Sequence, residues 1–430
     1  VAPMLAALVL LAGSSAALVM PRSRSHVVCR MPSLSPLPPA LAASDGSHTF
    51  TYDSVQRRLP LIIESVIDSN AYDAATVGAL RGLAGEIAAG APLKPLAAAS
   101  DEWTAALAPC LATGDTWFSA PWFLVENYLY KRMLELTDGP SGGADPFAAQ
   151  KRASLEGAAS AFQGMLAAGL AEGEVQMARL VATALWGNLA DLSLSAGAAL
   201  VSPADASAGA SAEAASKMLA DDTAALCAAI AAAADKEVII VLDNCGLELV
   251  SDLLLVDGLL RSAAPPLRVT LHAKDRPVFV SDVTEPDLVP TLQWIEAQGG
   301  GAMAGRLTAA LDDGRLCLTA PPFYTGPAPF WEMPASLMLA HAAAALVITK
   351  GDANYRRLLG DLHWAHDTPF GQVCDYFPTT LASLRTCKSG VCVGVDPDVE
   401  AAAAAAHPDK WLVGGIYGMV QLKQEGPRLE

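Results

Sequence analysis

The chain has 430 residues, a formal net charge of −17 and a mean hydropathy of +0.33. This length allows two or three domains with a sizeable core, and much of the apolar excess is alanine, as in the run 401–406. The negative charge argues against nucleic acid and anionic membrane surfaces as partners, because both need a basic surface. A small anionic substrate stays compatible with it if a metal or a local basic cluster overrides the overall field. The eight cysteines form no CxxC pair, which favours reduced thiols in a reducing compartment.

Residues 1–44 have the pattern of a targeting segment. The first twenty are apolar and end in small residues, and the rest are rich in Ser and Pro, with three arginines and no acid. This order is typical of a signal peptide followed by a plastid transit peptide, and a mispredicted start is the alternative. A targeting segment would favour an organelle such as the plastid, and its absence would favour the cytoplasm. No stable membrane span is expected in the mature chain, because a stretch this short with a proline, a glycine and two serines spans poorly.

Residues 45–216 are predicted to form a helical domain. In the stretch 52–69, apolar residues such as Val55, Leu59 and Ile62 recur at helical spacing, and the stretches 122–136 and 174–194 have the same period. No strand-like alternation stands out in this part of the chain. Residues 201–216 are small, polar and low in complexity, which predicts a linker at the end of the domain.

Residues 217–430 alternate between strand and helix patterns. Short β-rich runs lie at 237–243, 267–273, 277–282, 315–320 and 345–352, and helix-compatible stretches lie at 247–261, 287–297 and 335–344. Near-continuous apolar strands between helices predict an α/β fold, with a Rossmann-like α/β/α domain and a mostly parallel sheet. In such folds ligands bind outside the carboxyl ends of the strands, so the residues that follow each strand are candidates for the site.

Acids stand at the ends of three predicted strands. Asp243 ends the first and Asn244 follows it, Asp282 ends the third, and Asp352 ends the last. In a parallel sheet these ends meet at one edge, and oxygen ligands from two Asp and one Asn suit a hard cation such as Mg²⁺ or Mn²⁺. Zinc is disfavoured because no His or Cys is sited with them. One such acid alone is more often a helix cap or a loop ion pair, but three in register favour a cation site.

Basic residues supply the other half of the predicted site. Lys350 and Arg356 flank Asp352, and Arg385 and Lys388 lie close together further along the chain. A phosphate group needs several N–H donors and positive charge, which Arg and Lys provide in different geometries. The alternative is that these side chains only neutralise the acids around them.

Two further acids follow the first predicted strand. Glu248 and Asp252 lie four residues apart, on one face of the predicted helix. Glu248 is in the first turn, and we expect it to reach back toward the metal or a substrate hydroxyl. For Asp252 the sequence leaves two roles open: a functional one, or that of an acid that is solvated or stabilised by the helix dipole.

These stretches resemble a known family. The segments “VLDNCGLELVSDLLLVDGLL”, “FVSD” and “ITKGDANYRRLLGD” are similar to the damage-control phosphatases, long called domain of unknown function 89. The RTxK tetrad at 385–388 is typical of subfamily III, and the likeness runs in the family's order from about residue 47 to about residue 420. It implies a helical domain packed on a Rossmann-like domain that holds one divalent cation. That cation would be Mn²⁺ or Mg²⁺, with Ni²⁺ or Co²⁺ as further candidates.

The resemblance also assigns residues and an activity. It implies that Asp243, Asn244 and Asp282 are the metal ligands and the catalytic residues. Substrate contacts are implied for Glu248, Asp352, Ala353, Asn354, Tyr355, Arg356 and Lys388. Ala353 replaces the family's usual Leu, a packing change that keeps the polar residues of the motif. Members of this subfamily hydrolyse sugar phosphates such as fructose 1-phosphate and fructose 6-phosphate, and a protein-carboxyl methyltransferase activity has been attributed to the human member.

Three kinds of function therefore compete. In phosphoester hydrolysis the cation would neutralise developing charge, with Lys388 and Arg356 on the other phosphate oxygens. The attacking group would be a metal-bound water or the Asp243 carboxylate, and Cys245 stands where an Asp-x-Asp phosphatase has its second Asp. S-adenosylmethionine-dependent methyl transfer is the alternative, but the turn after the first strand has one glycine rather than a Gly-rich loop. A metal-stabilised binding module leaves the Lys and Arg residues unexplained, so the prediction is a metal-dependent damage-control phosphatase for a small phosphorylated metabolite.

Overall fold

The computed structural model describes residues 31–47, 49–137, 144–172, 175–187 and 215–424. Most of the predicted targeting segment and residues 201–214 of the predicted linker lie outside these ranges, so both stay predictions. Within the predicted segment, Leu41 and Ala43 are described and are buried in the core. No helix in the described ranges combines the length and the apolar character that crossing a membrane requires.

The described residues between 50 and 186 are mainly helical, as predicted. Its helices are Phe50–Asp53 (α1), Leu59–Ser69 (α2), Ala74–Ala88 (α3), Asp101–Thr113 (α4), Trp122–Thr137 (α5), Ala148–Gly157 (α6), Ala159–Ala167 (α7) and Met177–Trp186 (α8). A π-helical turn, Ser54–Arg58, joins α1 to α2. Polar caps start three of these helices, since the side chains of Thr49, Asp73 and Ser100 accept from the first-turn backbone of α1, α3 and α4.

The second half forms a seven-stranded sheet with helices between the strands. The strands are Met218–Asp221 (β1), Glu237–Val241 (β2), Arg268–His272 (β3), Leu316–Thr319 (β4), Leu346–Lys350 (β5), Leu381–Thr386 (β6) and Gly418–Lys423 (β7). The helices are Thr223–Ala232 (α9), Leu247–Arg261 (α10), Leu288–Ile295 (α11), Gly301–Asp312 (α12), Ala335–Ala343 (α13), Gly351–Leu359 (α14), Phe370–Val373 (α15) and Pro397–Ala406 (α16). The order is β1-β7-β6-β5-β2-β3-β4, and every neighbouring pair is parallel except β6 with β7. The predicted α/β fold with a mostly parallel sheet is confirmed.

One predicted strand is wrong. Residues 277–282 form a turn rather than a strand, with left-handed backbone at Phe279 (φ 49°) and Val280 (φ 68°). Both side chains and that of Val278 are buried, so the apolar run reflects packing into the core and not an extended backbone. The patterns also left out β1, β6 and β7. In β6 and β7, buried polar residues such as Arg385 and Gln421 interrupt the apolar character.

The sheet separates two hydrophobic clusters. Along β2, Ile239 and Val241 belong to the cluster that contains the buried faces of α2, α3, α4 and α5. The alternate residues Val238 and Ile240 belong to the cluster that contains α7, α8 and α10, as the two-residue period of a strand requires. Helices from the first half of the chain therefore cover both faces of the sheet, and the boundary predicted at 216/217 stays a prediction.

Candidate active site

One cavity lies at the carboxyl ends of the central strands, and we call it the site cavity. It is lined by Phe50, Arg58, Trp122, Glu126, Asp243, Asn244, Phe279, Asp282, Asp352, Ala353, Arg356 and Lys388. The structure thus brings together seven of the residues that the sequence analysis singled out. The other candidates do not line it: Glu248, Asp252, Lys350, Asn354, Tyr355 and Arg385.

Asp243 and Asn244 enter the cavity directly from β2, which lies between β5 and β3 in the sheet. Both side chains are buried, at 3% exposure each. Gly351, the first residue of α14, makes room for the Asp243 carboxylate. A Cβ atom on Gly351 would lie 1.8 Å from Asp243 Oδ2, and its φ of +77° also favours glycine.

Asp282 reaches the same place from the connection between β3 and α11. The turn at 277–281 directs the chain back, so that Asn244 and Asp282 form an isolated antiparallel bridge. The Cys245 amide donates to the Ser281 carbonyl at 2.7 Å, and the Val283 amide donates to the Asp243 carbonyl at 2.8 Å. Asp282 is therefore positioned by this crossing connection and not by a strand of its own.

The Asn244 amide is held by three hydrogen bonds. Its Nδ2 donates to Asp243 Oδ2 at 2.8 Å and to Glu248 Oε2 at 2.9 Å, while its Oδ1 accepts from Ser281 Oγ at 2.6 Å. Glu248 lies behind this amide, where its other oxygen accepts from Lys350 Nζ at 3.2 Å. Its predicted contact with metal or substrate stays a prediction, and its visible role is to fix Asn244.

Two buried lysines compensate the acids around the cavity. Lys274 Nζ lies 3.1 Å from Asp282 Oδ2 and donates to the Leu242 carbonyl at 2.8 Å. Lys350 Nζ lies 3.0 Å from Asp252 Oδ1 and donates to the Ala184 carbonyl at 2.6 Å. Burial raises the pKa of Asp252 to about 7, while the Lys350 ammonium opposes that shift. Asp252, left open by the sequence, is a buried partner of Lys350.

Asp352 organises the basic residues that follow β6. Its Oδ1 accepts from Arg385 Nε at 2.7 Å, from the Lys388 amide at 3.1 Å and from Ser389 Oγ at 3.1 Å. Arg385 is fully buried and also stacks over the Tyr355 ring at 4.2 Å. Within the tetrad, Lys388 lines the cavity, whereas Arg385 does not line it and instead holds the Asp352 carboxylate in place.

Asn354 and Tyr355 lie on the inner face of α14. Asn354 Nδ2 donates to the Leu242 carbonyl at 3.1 Å and to the Lys350 carbonyl at 2.9 Å. The Tyr355 hydroxyl donates to Gln421 Oε1 at 2.9 Å. Both side chains join the helix to the sheet, and the substrate contacts implied for them stay predictions.

The sequence analysis missed the helical side of the cavity. Phe50, Arg58, Trp122 and Glu126 come from the first half of the chain, and Phe279 comes from the turn before Asp282. A signal existed for Glu126, which is an acid within the apolar stretch of α5 and is 1% exposed. Carboxylates are almost never buried without a partner, so its position predicts a basic partner that the sequence does not identify.

The oxygen donors of the cavity fit a hard divalent cation. Asp243 and Asp282 offer carboxylates, and the Asn244 carbonyl oxygen has a second lone pair beside its bond from Ser281. Among the residues that the structure describes, no group of three or more His, Cys, Asp or Glu side chains is arranged to hold a metal. The predicted set is of another kind, because its third member is an amide. The cation itself stays a prediction.

Comparisons with known proteins bear on the family of this chain. A model of the damage-control phosphatase ARMT1-like domain matches residues 54–402. Damage-control phosphatase ARMT1 from Danio rerio is 30% identical over 446 residues, which cover 90% of this chain and 97% of that protein. The Homo sapiens protein of that name is 28% identical over 447 residues, covering 90% and 99%. A crystal structure of a DUF89 family protein from Pyrococcus horikoshii aligns with 79% of this chain and 91% of its own, at 15% identity and a TM-score of 0.46, too weak a likeness to add support.

Proposed function

Because the chain belongs to the damage-control phosphatase ARMT1-like family, we propose that it hydrolyses small sugar phosphates, of the fructose 1-phosphate and fructose 6-phosphate type, with one divalent cation. The observation that carries the proposal is the composition of the site cavity. It places the oxygen donors Asp243, Asn244 and Asp282 in one space with Arg356 and Lys388. Oxygen donors for a hard cation beside Arg and Lys form a site suited to a phosphate ester.

The charges of the lining residues support a cation. Four carboxylates and three basic side chains line the cavity, so it has no excess of positive charge to receive a phosphate dianion. A divalent cation such as Mn²⁺ or Mg²⁺ would offset that deficit and polarise the phosphoryl group. Without it, repulsion from the buried carboxylates opposes phosphate binding.

The chain's own residues would bind and orient the phosphoryl group. Lys388 supplies a point charge, and its backbone amide is fixed by Asp352. Arg356 is held on Asp361 through Nε and Nη2, at 2.7 Å and 3.0 Å, so its guanidinium plane is set before a substrate arrives. The attacking group would be water or the Asp243 carboxylate, which lies at the end of the central strand β2.

The test is phosphate release by the purified full-length chain. Fructose 1-phosphate and fructose 6-phosphate are incubated with the protein as purified, with EDTA, and with Mg²⁺ or Mn²⁺ restored after EDTA. We expect phosphate release that stops with the chelator and returns with the ion. Absence of metal-dependent release from any sugar phosphate would contradict the proposal.

The same preparation tests the methyltransferase alternative. Gly246 closes the turn after β2, and a Cβ atom on it would lie 2.2 Å from Ser154 Oγ of α6, so this turn is covered by a helix. An adenosyl cofactor in a Rossmann-type site would need that turn to be accessible. We therefore expect no heat of binding when S-adenosylmethionine is titrated into the protein by calorimetry. Micromolar binding without metal-dependent phosphate release would favour the alternative.

A further inference from the structure

The helical half of the chain contributes a positively charged side chain, that of Arg58, to the site cavity. Arg58 lies at the end of the π-helical turn Ser54–Arg58, and its side chain is 12% exposed. Arg58 lies outside the motifs of the α/β half that the sequence analysis assigned to the site. Single π-helical turns inside α-helices are frequent at functional sites, because they redirect one side chain out of the regular helical arrangement.

Arg58 is held in place by two side chains. Ser54 Oγ accepts from its Nε at 3.2 Å and from its Nη2 at 2.8 Å, and Nη2 also donates to Glu126 Oε1. The Ser54 contact is one helical turn away, so the π-helical turn itself supports the guanidinium. A long side chain fixed in this way has already lost the rotamer freedom that ligand binding would otherwise cost.

Glu126 joins Arg58 to the α/β half. Its Oε1 accepts from Arg58, and its Oε2 accepts from Arg356 Nη1. Arg356 also lies over the Trp122 ring, with its Cζ atom 3.7 Å from the ring centroid. One buried carboxylate, at 1% exposure, therefore places two guanidinium groups side by side in the cavity lining.

We propose that Arg58 is a substrate-binding residue that acts with Arg356 on the phosphate group of the substrate, and that Glu126 is the positioning residue for both. The proposal rests on the proposed function, because it takes a phosphate monoester as the ligand. A guanidinium has five N–H donors, so a side chain that is fixed by a carboxylate can still donate to a second anion. Two adjacent guanidiniums match the several oxygens of a phosphate better than one does.

The experiment measures anion binding separately from turnover. Inorganic phosphate is titrated by calorimetry into the full-length wild type and the variants Arg58→Gln, Arg58→Lys and Arg57→Gln, each with saturating Mn²⁺. Arg57 is the matched control, because it is the neighbouring arginine, is 74% exposed and, among the described residues, pairs only with Asp53. We expect a Kd about tenfold higher or more in Arg58→Gln, since hydrogen bonds between charged groups are the strong ones, an intermediate rise in Arg58→Lys, and no change in Arg57→Gln.

Two results would overturn the inference: an unchanged Kd in Arg58→Gln, or a wild-type protein that binds no phosphate. If Arg58→Gln does not fold, Arg58→Lys keeps the charge and carries the same comparison. A wild type that binds phosphate through Arg58 but releases none from sugar phosphates would defeat the proposed function and leave this inference standing. The two failures are therefore distinguishable.

Glu126→Gln tests the positioning role. Gln has the shape of Glu without its charge, so both guanidiniums lose the group that orients them. We expect KM for the sugar phosphate to rise about tenfold with a smaller change in kcat, as when ground-state and transition-state binding weaken together. A lower melting temperature with unchanged KM would show that Glu126 only joins the helices, and would overturn its assignment.

Discussion

The two halves of the site cavity use charge in opposite ways. Where the connections after β2 and β3 meet, the acids Asp243 and Asp282 line the cavity, and Lys274 is the buried counter-ion of Asp282. Between the helices and α14, the bases Arg58 and Arg356 line the cavity and Glu126 is the shared acid that holds them. An ion pair alone therefore does not identify a function. What matters is which member of the pair lines the cavity. Acids that line it favour binding of a cation, and bases that line it favour binding of an anion.

The largest expected effect comes from the acidic half. Asp243→Asn and Asp282→Asn keep shape but remove one ligand charge each, and we expect phosphate release to fall at least about 10²-fold, since electrostatic stabilisation of the transition state is lost. Asp313→Asn, at an exposed acid paired with Arg315, is the control. Circular dichroism checks that the variants are folded. Wild-type turnover in either variant at saturating Mg²⁺ or Mn²⁺ would remove the acidic half from the site.

A substitution at Gly351 tests the position of the Asp243 carboxylate without changing the charge of the acidic half. Gly351→Ala would place a methyl group on the Asp243 carboxylate, and we expect phosphate release to fall about tenfold or more, because small displacements of reacting groups cost rate steeply. Gly371→Ala is matched to it, since a Cβ atom there meets nothing within 4 Å. Equal activity of the two variants would show that the placement of Asp243 is not critical.

The basic half is tested at Lys388. We expect Lys388→Ala to raise KM about tenfold, as for a lost hydrogen bond between charged groups, and Lys388→Arg to restore only part of it, because a planar fork replaces a point charge. The exposed Lys410 provides the control substitution Lys410→Ala. If Lys388→Ala hydrolyses every substrate with wild-type KM, the tetrad has only a structural role, and Lys388 does not contribute to phosphate binding.

Asp252, which is buried next to the acidic half, is expected to make the free energy of unfolding depend on pH. Burial raises the pKa of Asp252 from 3.8 to about 7, with Lys350 opposing the shift. Between these values the unfolded state has lost the proton that the folded state keeps, so this group's contribution to stability falls as pH rises from about 4 to about 7. Asp252→Asn removes that slope while Lys350 keeps Glu248. Across this range the free energy of unfolding, measured with urea, should fall by on the order of 4 kcal/mol more in the wild type than in Asp252→Asn, and parallel curves would contradict the shift.

The sequence predicted the sheet edge better than the helical side, for a physical reason. An acid that follows an apolar strand, such as Asp243, is recognisable locally because both features are adjacent in the chain. Glu126 is recognised only through its partners, which are 68 and 230 residues away. Asp282 lies in the cavity as expected, although the strand predicted before it does not exist. The turn at 277–281 is buried and apolar like a strand, but its backbone is not extended.

The motif around Asp352 shows a second limit. Contiguous letters suggested that residues 352–356 all contact the substrate, but a helix turns about 100° per residue. Asp352, Ala353 and Arg356 therefore line the cavity, while Asn354 and Tyr355 bond to the sheet. Periodicity would have divided the motif in this way if it had been applied to the helix that starts at Gly351.

The cavity lining extends from Phe50 to Lys388 along the chain, and this has a consequence for protein synthesis. A chain that leaves the ribosome from its N-terminus exposes Arg58 and Glu126 long before Arg356 has been translated. During that interval Glu126 has only one of its two guanidinium partners, and Asp352 still lacks Arg385 after its own helix has emerged. The enzyme cannot become active step by step on the ribosome, and a product that stops before residue 388 lacks part of the site, however well its helices fold.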